Sequence, residues 1–264
     1  MQETTKPKNR NRTVCILLGI GLAAGIMGGL LGIGGGVLIV PAVVFFLAFD
    51  QHRAHGTSLA VVIILSLVGV LTYLNAGNVD LRFGAGLAAG GIVGALLGGS
   101  IVQKIKSSVL RRAFCLFLMV TAAKMIYDSC VVTSIPPGDA SAFTAARVLL
   151  ALGAGTLTGL LSSLLGVGGG IIMIPMLTML LHFDQHTAQG TSLAAMIPIA
   201  LTGMLKHDTL GNVDFRVAYY IAIAAAAGVL LSSWIANSLP SNTLKLVFGI
   251  FLAIMAALMV MKKK

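Results

Sequence analysis

The chain has 264 residues, 57% hydrophobic and 10% charged, with a mean hydropathy of +0.98 and a formal net charge of +10. Soluble domains carry about 25% charged residues, so a soluble globular fold is excluded. The basic residues sit mainly in short segments between apolar runs and at the termini, where membrane orientation requires them, and form no nucleic-acid-binding patch.

The first stretch, KPKNRNR followed by VCILLGIGLAAGIMGGLLG, has the look of a signal peptide. However, Leu18, Gly19, Gly21, Gly25, Leu30 and Leu31 recur 134 positions later as Leu152, Gly153, Gly155, Gly159, Leu164 and Leu165. A segment with an internal copy belongs to the mature fold. The copying needs no gaps: 25 of the 51 positions from Gly32 to Arg82 are identical to Gly166 to Arg216.

Each copy holds five hydrophobic segments, at 14–31, 35–49, 57–74, 83–103 and 109–127, then 143–165, 169–183, 191–207, 216–236 and 243–261. The longer ones can cross ~30 Å of hydrocarbon at ~1.5 Å per residue. The second of each copy is short, opens on glycines and contains Pro41 or Pro175, which predicts a broken or re-entrant helix. The alternating ~10-residue strands of a lipid-facing barrel are absent from the sequence. The expected fold is therefore all-α and polytopic, with 8–10 transmembrane helices. Its predicted parts are a basic N-terminus 1–13, repeat 14–133, linker 134–142, repeat 143–261 and basic tail 262–264.

With the N-terminus inside, fourteen of the 18 basic residues fall on the cytoplasmic side and four (Arg82, Lys124, Arg147, Lys245) outside. Five segments per copy is odd, so the copies are expected to lie inverted, as in many secondary transporters. The three cysteines, Cys15, Cys115 and Cys130, lack metal-ligand spacing and read as small buried hydrophobes.

Three motifs are written twice. In LLGIGGG and LLGVGGG, Gly34, Gly35, Gly36 and Gly168, Gly169, Gly170 permit a backbone break whose amides can face a ligand, or else tight helix packing. In FDQHRAHGTSLA and FDQHTAQGTSLA, Thr57-Ser58 and Thr191-Ser192 precede apolar runs and read as helix starts. Helix starts are intrinsic anion sites as well as ordinary caps. The preceding Asp50 and Asp184 suit a solvated turn, and His52 and His186 can carry a coupled proton. In GNVDLR and GNVDFR, Asn78 and Asn212 favour turns, Asp80 and Asp214 can cap the next helix, and Arg82 and Arg216 can pair with them. His55 and His182 have no histidine counterparts. His207 and Lys206 stand opposite Tyr73 and Thr72, so they read as a one-sided gate or coupling element. Glu3 is the only glutamate and four of the seven aspartates belong to repeat pairs. That scarcity of negative charge favours an anion as cargo.

The sequence LLGIGGGVLIVPAVVFF, then GTSLAVV and GNVDLR, duplicated over about 14–261, resembles the TauE/SafE sulfite-exporter family. The resemblance implies a transporter moving sulfite, sulfoacetate or related organosulfur anions across the cytoplasmic membrane, while the charge count puts both termini on the cytoplasmic side. On it, the glycine breaks (Gly34, Gly35, Gly36, Gly168, Gly169, Gly170) and Thr57, Ser58, Thr191 and Ser192 are the substrate-binding candidates. Asp50, His52, Asp184, His186, His207, Asn78 and Asn212 are the gating or coupling candidates. The expected partners are the anion, a coupled proton or sodium ion and the lipid bilayer; no cofactor, metal or nucleic acid is expected. An anion channel of this fold or a permease for carboxylates are the rival readings. An enzyme is disfavoured because no acid–base pair or nucleophile recurs, and a membrane scaffold is the remaining alternative.

Overall fold

The computed structural model describes residues 10–101, 107–130, 145–165 and 168–261. The expected linker 134–142, the tail 262–264, residues 1–9 and Lys104 and Lys106 lie outside the described residues. Within them are ten helices and no strand: α1 Arg10–Leu31, α2 Gly36–Leu47, α3 Gln51–Asn75, α4 Leu81–Ile101, α5 Ser107–Cys130, α6 Ala145–Leu165, α7 Gly170–Leu180, α8 Gln185–Thr209, α9 Phe215–Ser238 and α10 Ser241–Met261. The all-α polytopic expectation holds. Six (α1, α3, α6, α8, α9 and α10) contain stretches long and apolar enough to cross a membrane. At 12 and 11 residues, α2 and α7 reach only about 18 and 17 Å, short of the ~30 Å of hydrocarbon. Each carries its proline inside the helix, at Pro41 and Pro175.

Two helix starts differ from expectation. α3 and α8 begin at Gln51 and Gln185, six residues before Thr57 and Thr191, so GTS is not a helix start in either copy. The reason is the preceding aspartate. Asp50 accepts the Arg53 N–H at 3.0 Å, and Asp184 accepts those of His186 and Thr187 at 3.0 and 3.2 Å. The "solvated turn" is thus a pair of N-caps. Burial raises the Asp184 pKa, but hydrogen bonds to His186 and Thr187 outweigh it and bring it down to about 2. Its stabilisation is therefore fully present above the ordinary value of 3.8 and lost as pH falls towards about 2. Asp184→Ala should cost about 1 kcal/mol at neutral pH, and the gap in melting temperature to wild type should close in acid; a gap independent of pH would contradict the capping role.

Helix pairing follows the small residues. Gly21, Gly25 and Gly29 of α1 lie against Ile221, Ala225 and Val229 of α9, so these helices run parallel with backbones nearly touching. Gly90 and Gly94 of α4 face Leu152 and Thr156, and Gly155 and Gly159 of α6 face Leu87 and Gly91, a second parallel pair. In lipid such close approach, rather than hydrophobic exclusion, drives association. Gly69 of α3 touches Leu193 of α8, and Gly203 touches Leu59, so α3 and α8 cross antiparallel at the centre. The outward faces carry large apolar side chains such as Phe45, Leu149 and Trp234. Of the cysteines only Cys115 is buried; Cys15 and Cys130 are exposed, because their helix faces point outward.

Candidate functional site

The two duplicated polar motifs meet across the repeats. The Asp214 N–H donates to Thr57 Oγ1 at 3.0 Å, and the Asp80 N–H donates to Thr191 Oγ1 at 2.9 Å. A Cβ at Gly56 would collide with the Asn212 carbonyl oxygen, and one at Gly190 with that of Asn78. Each GTS is therefore the socket for the other copy's GNVD turn. Thr57 and Thr191 each spend their oxygen on that turn. Asp80 and Asp214 cap α4 and α9 as expected, accepting from Phe83 N–H at 3.1 Å and Val217 N–H at 3.0 Å. Asp214 pairs with Arg53 across the repeats at 2.6 Å rather than with Arg216, because the socket brings the start of α3 beside the turn.

The glycine breaks converge on the centre. Gly34 and Gly35 have φ of 70° and 69°, and Gly168 and Gly169 of 82° and 91°, all left-handed. Gly35 and Gly169 are the N-caps of α2 and α7. Gly34 and Gly168 both face Val62 of α3 and Met196 of α8, and Gly170 lies against Ile33 of the first break. Val62 and Met196 are repeat counterparts, so the two breaks close on one apolar pair.

Around that pair stand buried hydroxyls. Ser66, Thr158, Ser162 and Ser192 are at most 2% exposed, and their oxygens have no hydrogen-bond partner. Ser58, Val62 and Ser66 share one face of α3 at four-residue spacing, as do Ser192, Met196 and Ala200 on α8. The antiparallel crossing puts Ser66 and Ser192 on the same side of Val62 and Met196. Gly35 touches Leu65, so the start of α2 lies at the level of Ser66. At the start of α7, Gly169 lies against Thr158 and Ser162. An unpartnered buried hydroxyl costs about 1–3 kcal/mol, and four of them border two helix N-termini.

The gating candidates spread over the rims. His52 is exposed. His186 donates through Nε2 to the Ala236 and Leu239 carbonyls at 3.2 and 3.0 Å, closing the end of α9. Asn78 donates to Asn237 at 2.7 Å, tying its turn to the same end. His207 lies on Gly56 beside Asn212. Lys206 Nζ donates to the Leu96 carbonyl at 3.3 Å. Sequence reasoning overlooked Ser66, Thr158 and Ser162, whose helical spacing is the one available signal. It overlooked too that Gln189 pairs with Tyr73.

The family described as Sulfite exporter TauE/SafE matches residues 2–125 and 151–264 of this chain. The chain is 25% identical to the "Probable membrane transporter protein YunE" of Bacillus subtilis, covering 90% of this chain and 93% of the relative. It is 26% identical to a "Probable membrane transporter protein" of Methanocaldococcus jannaschii, over 93% and 95% of the two chains. A relative with the same description from Haemophilus influenzae is 26% identical over 94% and 98%. No solved structure matches the chain.

Proposed function

This chain belongs to the sulfite exporter TauE/SafE family, a multi-pass membrane transporter by kinship with its relatives, and we propose that it carries small sulfur-containing oxyanions across the cytoplasmic membrane by alternating access. The carrying observation is the centre of the fold: two helix N-termini and four unpartnered buried hydroxyls around Val62 and Met196. A helix N-terminus presents free N–H groups and about half a positive charge. Hydroxyls donate to an oxyanion without adding charge, so binding stays weak enough to release. Gly34, Gly35 and Gly36 with Ser66 and Ser192 form one half-site, and Gly168, Gly169 and Gly170 with Ser58, Thr158 and Ser162 the other. Val62 and Met196 separate them.

The antiparallel crossing of the equivalent helices α3 and α8 supports inverted repeats, with a two-fold axis perpendicular to both helices and hence in the membrane plane. A pair of half-sites exchanged by such an axis is what opening to one side and then the other requires. Thr57 and Thr191 hold the sockets rather than the cargo. The basic residues favour cytoplasmic termini.

The test is uptake of labelled sulfite into proteoliposomes by wild type and the Ser66→Ala, Ser192→Ala double variant. Hydrogen bonds to a charged group contribute about 1.5–3 kcal/mol, so KM should rise roughly tenfold or more. An unchanged KM removes the first half-site. Transport of a carboxylate but not of sulfite by the wild type removes the sulfur class.

A further inference from the structure

The centre of the fold is polar without being charged. Every buried polar side chain among the described residues is a hydroxyl or an amide, with no lysine, arginine, histidine or carboxylate. The short helices α2 and α7, whose N-termini enter the centre, contain no titratable residue. Arg53 lies nine residues from Val62 on α3, and Lys206 ten from Met196 on α8, about 14 and 15 Å along a helix. Both are exposed and already engaged, Arg53 with Asp214 and Lys206 with the Leu96 carbonyl. Arg147, eleven residues from Thr158 on α6, donates to the Leu181 carbonyl at 3.4 Å. His55 and His207 lie beside the Gly56 socket, seven and eleven residues from Val62 and Met196.

What positive charge reaches the centre comes from the backbone. Gly35 and Gly169 cap α2 and α7. Each helix N-terminus contributes about half a unit charge, so the two together supply about one. The carbonyls that end α1 would offset it, but they are taken. The Gly29 carbonyl accepts from the Tyr73 hydroxyl at 3.0 Å, and the Leu30 carbonyl from Gln189 Nε2 at 3.2 Å. Ser66, Thr158, Ser162 and Ser192 complete the lining with hydroxyls that have no partner. Thr158 and Ser162 pack directly against the Gly169 cap.

We infer that the site takes its oxyanion with a single negative charge: for sulfite, the hydrogen-bearing monoanion and not the dianion. The inference rests on the transport reading above. The cost of taking an ion out of water rises with the square of its charge, so a dianion costs about four times as much. About one unit of backbone charge would leave half of that dianion unmatched. A hydroxyl accepts as well as donates, so the same four groups can hold the proton that the monoanion keeps. A lysine, an arginine or a backbone N–H could not. The cargo then brings its own proton, and each passage moves anion and proton together without a side chain of the lining having to carry it.

The test is binding of anions to the purified full chain, read as thermal shift from about pH 6 to 9. Above the second ionisation of sulfite, the apparent Kd for total sulfite should rise about tenfold per pH unit as the monoanion is depleted. Selenite has the same pyramidal shape and undergoes its second ionisation at higher pH, so its rise should begin correspondingly later. Sulfate, divalent throughout, should not displace sulfite even at about a hundredfold excess. A sulfite Kd independent of pH, or displacement by sulfate, would show a bound dianion and overturn the proposal. A rise at one common pH for sulfite and selenite would overturn it too, because a group of the protein would then be titrating. If sulfite fails to bind at every pH while acetate is preferred to malonate, the sulfur cargo is removed and the single-charge selection stands.

Discussion

Gly190→Ala is expected to leave little folded protein. The added Cβ would land on the Asn78 carbonyl oxygen and come within 2.9 Å of Tyr73 Cβ and Val79 Cγ2. None of these is the free end of a flexible side chain. Tyr73 is held at its hydroxyl by Gly29 and Gln189, and the Asn78 backbone is held by the adjoining bond from Asp80 N–H to Thr191. Overpacking costs about 1–3 kcal/mol where neighbours can adjust, and losing the turn's hydrogen bond adds about 1 kcal/mol. Against total stabilities of roughly 5–15 kcal/mol, that should appear as a large fall in melting temperature and in the monodisperse fraction after detergent extraction. Gly153→Ala is the control, since nothing lies within 4 Å of a Cβ there. Equal melting temperatures for Gly190→Ala and wild type would refute the socket.

Gly168→Ala should produce the second large effect, chiefly on transport. Its φ of +82° would strain any residue with a side chain by about 1–2 kcal/mol. The Cβ would also press to 2.9 Å from Val62 Cγ1, filling the point where the breaks converge. Gly211 separates these causes: its φ is +71° but nothing lies within 4 Å of a Cβ. Both variants should lose similar stability, while Gly168→Ala alone should lower sulfite flux by about tenfold or more, a barrier rise of ~1.4 kcal/mol. Equal flux losses in the two would show that backbone strain, not crowding of the centre, is responsible.

Much of this architecture was legible in the chain because composition and gap-free copying are strong signals. The helix count, the short proline-bearing second segment of each copy and the capping by Asp80 and Asp214 all follow from local sequence. The site was less legible, since GTS before an apolar run reads as a cap. Only the structure shows Asp50 and Asp184 taking that role about two turns earlier. Single serines such as Ser66 and Ser162 are equally opaque: on a helix their meaning depends on the face, and the face depends on the antiparallel crossing of α3 and α8.

The exchange of turns and sockets has a consequence for synthesis. Thr57 waits for Asp214, 157 residues further along, which takes roughly 8–30 s at ~5–20 residues per second. Throughout that interval the first half resides in the bilayer with its threonine uncapped and its own Asn78–Asp80 turn unseated. Neither half can reach its final packing alone. Insertion of this protein is therefore a two-part assembly within one polypeptide, and the helper machinery of the membrane has a half-built intermediate to protect.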